Sequence, residues 1–196
     1  MIAWQRHLNI SPVDPHILSH IAAYTKQSAS LAGCIVRLKH FSLLLVSIYL
    51  YDSEGLSARN LAILSQLYYL VLALNIPFIC MGDFNMTPED LHVSGFVSLL
   101  RAQLGDTTLD STLYTSTKSN YDFCMYSTSI SHLFVACLPI LDAPWSPHIS
   151  FSVHLESSPR SVQGLVHCIP KALPMEDFNW YRFYMNQCEQ CQAWKE

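Results

Sequence analysis

At 196 residues the chain is long enough for one domain with a real core, and its formal charge of −4 argues against strong nucleic-acid affinity, which needs clustered lysine and arginine. Hydrophobic residues make up 51% and charged residues 13%, well below the roughly 25% charged residues of an ordinary soluble domain. Its strands and helices must therefore be deeply buried, or an apolar face must be covered by a partner.

Residues 1–30 read as an irregular lead-in, with His16 to Tyr24 its best helical stretch. Within it, Ser11-Pro12-Val13-Asp14-Pro15 is predicted to be a proline-flanked turn and not a strand end. Leu31 to Leu38 and Phe41 to Tyr51 are apolar runs that read as paired strands joined near Lys39 and His40. Ser57 can cap a helix reaching Leu74, because Leu64, Leu67, Tyr68, Val71 and Leu74 recur at three- and four-residue steps. Asn75-Ile76-Pro77 ends that helix, and Ile76 to Met81 follows as a buried strand. The break also argues against a membrane span over Leu61 to Met81. Strand, helix and strand in succession predict a crossover with the helix over one sheet face.

Thr87-Pro88-Glu89-Asp90 is a helix start: a cap, a proline at the first position, then acids in the first turn. That helix ends near Ser94-Gly95, and Phe96 to Gln103 resumes an apolar-periodic segment as far as Gly105. Asp106 to Asn120 is a Ser/Thr-rich loop with a strand expected at Leu113 to Thr115. Tyr121 to Ser127 and Leu133 to Leu138 read as strands, and Pro139 to Pro147 as a loop with three prolines. Phe151 to Leu155 alternates apolar and polar, as a half-exposed strand does. Residues 156–174 have linker composition, and 175–196 an amphipathic helix whose Phe178, Tyr181, Tyr184, Met185 and Cys188 suit docking. The fold class is α/β (α+β).

The most informative stretch is Gly82-Asp83-Phe84-Asn85, where an apolar run ends in a glycine and two polar residues. In an extended backbone Asp83 and Asn85 share a side while Phe84 turns into the core. A carboxylate beside a carboxamide at a sheet edge suits phosphate-ester hydrolysis. The acid can align or deprotonate water or hold a hard cation, and the amide can orient a phosphoryl oxygen. The competing reading is an Asx-type turn after a strand. Imidazole as a group titrates near neutrality, which draws attention to Ser146-Pro147-His148, but with nine histidines in the chain a plain loop role is the stronger reading of that residue alone. Asp122 reads as a strand-end acid, Tyr49 as strand packing, and Asp52 and Glu54 as turn acids that could stand near the site. His40, His132, His154, Asp106 and Asp110 read as surface or loop residues. Cys34, Cys80, Cys124 and Cys137 sit singly in apolar runs, as reduced buried thiols do, which fits an intracellular location, nuclear or cytoplasmic. Cys188 and Cys191 form a lone C-x-x-C without the second pair that zinc would need. No secretory signal pattern opens the chain.

In order, Val46 to Tyr49, Gly82 to Asn85, Tyr121-Asp122-Phe123 with Ser127, and Ser146-Pro147-His148 resemble landmarks of the endonuclease/exonuclease/phosphatase superfamily. The resemblance spans residues 31–155 and is nearest to the endonuclease domains of non-LTR retroelements. It implies a DNase I-like four-layer α/β sandwich, here incomplete, of two facing and mostly antiparallel sheets with outer helices. It also implies Mg²⁺ or Mn²⁺ held weakly at Asp83 and Asn85, and catalytic roles for Asp83, Asn85, Asp122, His148 and Tyr49. In that scheme Asp122 orients His148 through its far ring nitrogen. Two departures accompany it. The family's early asparagine and its Q-E pair are absent from residues 1–40, whose only acid is Asp14, and Pro147 stands where the family has an aspartate. The chain is thus expected to lack the N-terminal strands and to be a truncated retroelement-type endonuclease of weak or no activity. DNA is the expected substrate, a protein partner would cover the exposed sheet, and no membrane is involved. The alternatives are a non-catalytic remnant that docks elsewhere, or a phosphomonoesterase of the same superfamily.

Overall fold

One strand, Ser42–Tyr49, divides its side chains between two cores. Leu44, Val46 and Ile48 enter one cluster while Leu43 and Leu45 enter another, the period of two that a strand buried on both faces imposes. In the computed structural model, residues 9–24, 30–38, 41–107, 109, 112, 120–142 and 148–156 are described. The strand expected at Leu113 to Thr115, Ser146 and Pro147, and the linker and C-terminal helix from residue 157 on lie outside them.

The elements run β1 (Ile10–Pro12), α1 (Pro15–Tyr24), β2 (Leu31–Arg37), β3 (Ser42–Tyr49), α2 (Ala58–Leu74) and β4 (Phe78–Asp83). They continue with α3 (Pro88–Val93), α4 (Phe96–Leu99), β5 (Ala102–Gly105), β6 (Asp122–Ser127), β7 (Phe134–Ile140) and β8 (Ser150–Leu155). Six strands form one sheet in the order β1-β2-β3-β4-β6-β5, and β7 pairs with β8 in a second. Among the described residues only β3 and β4 pair in parallel, and α2 makes the crossover between them. Ser57 caps α2 through its hydroxyl, and Asn75 ends the helix in the left-handed conformation. The apolar tract after Leu61 is thereby split into helix and strand, and among the described residues no helix is long and apolar enough to cross a membrane.

Helices cover one face of the large sheet. Ile63, Leu64, Leu67 and Leu70 of α2 pack with Ile21, Leu91 and Val97 over Leu44, Val46, Phe78 and Cys80. The small sheet covers the other face, where Phe134, Cys137, Phe151 and Val153 meet Val36, Leu43, Ile79, Cys124 and Tyr126. Tyr126 and Phe134 stack across this gap with ring centroids 4.2 Å apart. Two facing sheets with helices outside are the predicted architecture, with three layers among the described residues.

Two differences have simple causes. Ile10–Pro12 is a strand, not a turn: it pairs with β2, and proline is tolerated because β1 lies at the sheet edge. The apolar segment after Phe96 is helical for one turn only. Arg101, at φ +50, reverses the chain into edge strand β5.

Gly82 is fixed by close approach of two backbones. A Cβ there would lie 1.9 Å from the Ile48 carbonyl oxygen, on the neighbouring strand, at φ +154. At Gly55, φ +51, an added Cβ meets nothing within 4 Å. Urea denaturation of Gly82→Ala is expected to show a loss of ~3 kcal/mol or more. Gly55→Ala should lose only about 1–2 kcal/mol, the cost of a left-handed alanine. Equal losses at the two positions would contradict this packing.

Candidate active site

Register alone brings the first residues together. Asp83 at the end of β4 is the pairing partner of Asp122 at the start of β6 and of Tyr49 at the end of β3. All three stand on the face shared with Met81, Cys124 and Leu45, toward the small sheet. Directly opposed residues in an antiparallel pair hold their Cβ atoms about 5 Å apart, and like charges there repel.

After Asp83 the chain leaves the sheet. Phe84 is fully buried and stacks on Phe123 at 4.2 Å. Asn85 then takes a left-handed conformation, φ +47, not the extended one expected. Its backbone N–H donates to Asp83 Oδ1 at 3.0 Å, which is an Asx turn. The turn and the site are thus one structure. The Asn85 amide nitrogen donates to the Leu50 carbonyl at 2.6 Å and to Asp83 Oδ2 at 3.1 Å, so Asn85 clamps the carboxylate. Leu50 also donates its N–H to the Asp83 carbonyl. The turn beyond it is held by the buried Asn60 side chain, which bonds both main-chain groups of Tyr51 and the Gly55 carbonyl.

His148 arrives just before β8. Its Nδ1 lies 2.8 Å from Asp122 Oδ2, and its Nε2 lies 3.8 Å from Asp83 Oδ2. Asp122, His148 and Asp83 therefore form a chain of three, its imidazole about one-third exposed and its two carboxylates nearly covered. Thr112 supports this arrangement, although no local pattern marks it out from the other threonines around it. Fully buried, it accepts the N–H groups of Tyr121 and Asp122 at its hydroxyl, and its carbonyl accepts that of Ile149. One threonine in a Ser/Thr-rich loop thus ties the residues flanking Asp122 to those flanking His148.

Burial is the main reason that the Asp83 carboxyl is pushed up to about 6. The charges of Asp122 and Asp52 raise it further, while the Asn85 N–H and His148 pull it down. Asp52 is therefore within electrostatic reach. Glu54 is occupied elsewhere, with Arg59 at 3.5 Å and the Ser57 hydroxyl at 2.8 Å. Tyr49 is exposed beside Asp83, its ring edge-on to Tyr51. His154 pairs with Ser152 on the exposed side of β8, and Asp106 with Asn120. His40 and Asp110 lie outside the described residues.

Asp83, Asp122 and His148 each offer a ligating atom, all within 4.8 Å of one another. Two opposed carboxylates, one held against its ionised form by burial and repulsion, fit a hard divalent cation that would relieve both. Asn85 spends its amide hydrogens on Leu50 and Asp83, and so holds Asp83 in place.

No protein-family model matches the chain, and no curated protein matches it in sequence. Solved structures match it in shape. The endonuclease domain of TRAS1, a telomere-specific non-LTR retrotransposon, superposes with TM-score 0.64 at 14% identity, over 79% of this chain and 70% of that one. The fold is DNase I-like. AP endonuclease LMAP from Leishmania major follows with TM-score 0.51 at 13% identity, over 66% of this chain and 55% of that one. At such identities the likeness concerns the DNase I-like fold, and the chemistry rests on the residues above.

The Asp83 shift has a definite sign for stability. Without metal, the folded chain keeps this proton up to about pH 6, whereas the unfolded chain loses it near pH 4. Between these values the folded state binds more protons, so the Asp83 contribution falls as pH rises through that window. Thermal melting of the metal-free chain is expected to show this loss, and Asp83→Asn to remove it. Carboxyl NMR titration should place the Asp83 midpoint near 6 and move it down in Asp122→Asn. A midpoint near 4 in the unmodified chain would contradict the burial described.

Proposed function

We propose that the chain is a metal-assisted phosphodiesterase of the endonuclease type, acting on DNA with weak activity. The observation that supports this best is the Asp122–His148–Asp83 chain, which joins a general acid or base to a water-aligning carboxylate across two sheets.

In this reading Asp122 accepts the Nδ1 proton of His148 and fixes the ring, so that Nε2 points toward Asp83. With the ring doubly protonated, its Nε2–H then stabilises charge on the phosphate or gives its proton to a departing oxygen, and the neutral ring left behind keeps its proton on Nδ1. Asp83, clamped by Asn85, aligns the attacking water, and while no cation is bound its carboxyl, raised to about 6, can also take that water's proton. Tyr49 from the next strand would donate its hydroxyl to a phosphate oxygen, while the Asn85 side-chain oxygen, an acceptor, would serve the attacking water or a cation. A divalent cation such as Mg²⁺ or Mn²⁺, held by Asp83 with Asp122 or Asn85 beside it, would polarise the phosphoryl oxygen and offset its charge.

Weak activity follows from the carboxylate supply. Residues 1–40 contain one acid, Asp14, whose side chain accepts the His16 N–H at the start of α1. It is therefore engaged in ending the turn before that helix. A metal left with Asp83 and one neighbour is held loosely, and loose positioning costs rate.

Plasmid nicking with Mg²⁺ or Mn²⁺ is expected to be slow and abolished by a chelator. Asp83→Ala and His148→Ala should each lower it at least ~100-fold, and Asp122→Asn by about 10²–10⁴ through loss of the ring orientation. Nicking that survives both Asp83→Ala and His148→Ala would refute the assignment. Faster hydrolysis of a phosphomonoester than of DNA, with the same dependence on Asp83, would move the reading to a phosphatase.

A further inference from the structure

Two buried thiols meet across the gap between the sheets. Cys124 on β6 and Cys137 on β7 have their Sγ atoms 3.3 Å apart, and both belong to the core that the two sheets share. Gly105 makes the room. On β5 it is the pairing partner of Cys124 of β6, and a Cβ there would stand 2.7 Å from the Cys124 sulfur and 2.6 Å from the Phe134 ring. The Cys137 thiol also points at the Gly105 carbonyl, at 3.6 Å. A disulfide needs sulfurs at about 2.05 Å, so the pair must close by only roughly 1.3 Å.

We propose that Cys124 and Cys137 are a covalent modification site, forming a cross-sheet disulfide by exchange with a small-molecule disulfide such as oxidised glutathione. Cys137 is the attacking thiol, because the hydrogen bond from Cys124 eases its ionisation while that of Cys124 is made harder. The Cys137 thiolate forms a bond to one sulfur of the oxidant, and the other sulfur leaves as a thiolate that takes up the proton. The Cys124 thiolate then attacks the Cys137 sulfur, expelling the second small thiolate, which takes up the second proton. Two protein thiols are oxidised and one small disulfide is reduced. Access comes through local opening of β7 and β8, a sheet of only two strands among the described residues. The bond would fasten the strand that carries Asp122 to the hairpin that His148 precedes.

The test is to incubate the whole folded chain with oxidised glutathione, alkylate the remaining thiols after denaturation, and map the peptides by mass. A Cys124–Cys137 linked peptide is expected, with Tm raised by about 5–10 °C for a loop of this length. Cys80→Ser, changed on the opposite sheet face, should keep both effects, and Cys137→Ser should lose both. The map of the unmodified chain decides the matter even if Cys137→Ser fails to fold. Alkylation of both thiols, mixed disulfides with glutathione alone, pairing with other cysteines, or a linked peptide without the rise in Tm would each overturn the proposal.

Discussion

The pairing of β4 with β6 sets Asp83 opposite Asp122, two carboxylates side by side on one sheet face. Most of the site can be understood as the accommodation of that pair. Asn85 gives Asp83 two hydrogen bonds, Thr112 fixes the backbone at Asp122, and the imidazole of His148 is placed between the two acids. Burial above all, with the Asp122 charge adding to it, pushes the Asp83 carboxyl up to about 6. A cation would relieve that carboxylate, and so would a proton. The same feature that destabilises the metal-free chain above pH 6 is the one that the proposed chemistry would use.

His148 comes from the far side of a sheet-to-sheet interface, so the site exists only when the two sheets are docked. Docking is carried by the second core, including the Tyr126–Phe134 stack and the Cys124–Cys137 contact. The first core has another task. It fixes α2 over β3 and β4, and thereby the Tyr51 to Ser57 turn through which Asn60 supports Leu50 and, beyond it, Asn85. Each core therefore positions one half of the constellation.

Much of this was legible in the sequence where a local pattern determines the backbone. The Ser57 and Thr87 caps, the break at Asn75 and Pro77, and the two-faced apolar strands all produce the expected elements. Gly82 to Asn85 was informative for two reasons that turned out to be one, since the Asx turn is what brings Asn85 to Asp83. Less legible were features decided by distant partners. The strand at Ile10–Pro12 exists because β2 offers it an edge, and nothing local to Ser11-Pro12 signals that. Thr112 looks like any other threonine of its loop until Asp122 and Ile149 are folded around it. The left-handed turn at Arg101 likewise has no glycine to announce it.

The central claim is that Asp122 holds His148 by its Nδ1 atom and so presents Nε2 to Asp83. Long-range proton–nitrogen NMR on imidazole-labelled protein above neutral pH tests it most directly. The account predicts that His148 carries its proton on Nδ1, and that Asp122→Asn shifts the ring toward the Nε2–H form preferred by free imidazole. A His148 that is already in the Nε2–H form in the unmodified chain, or that ignores Asp122→Asn, would contradict it.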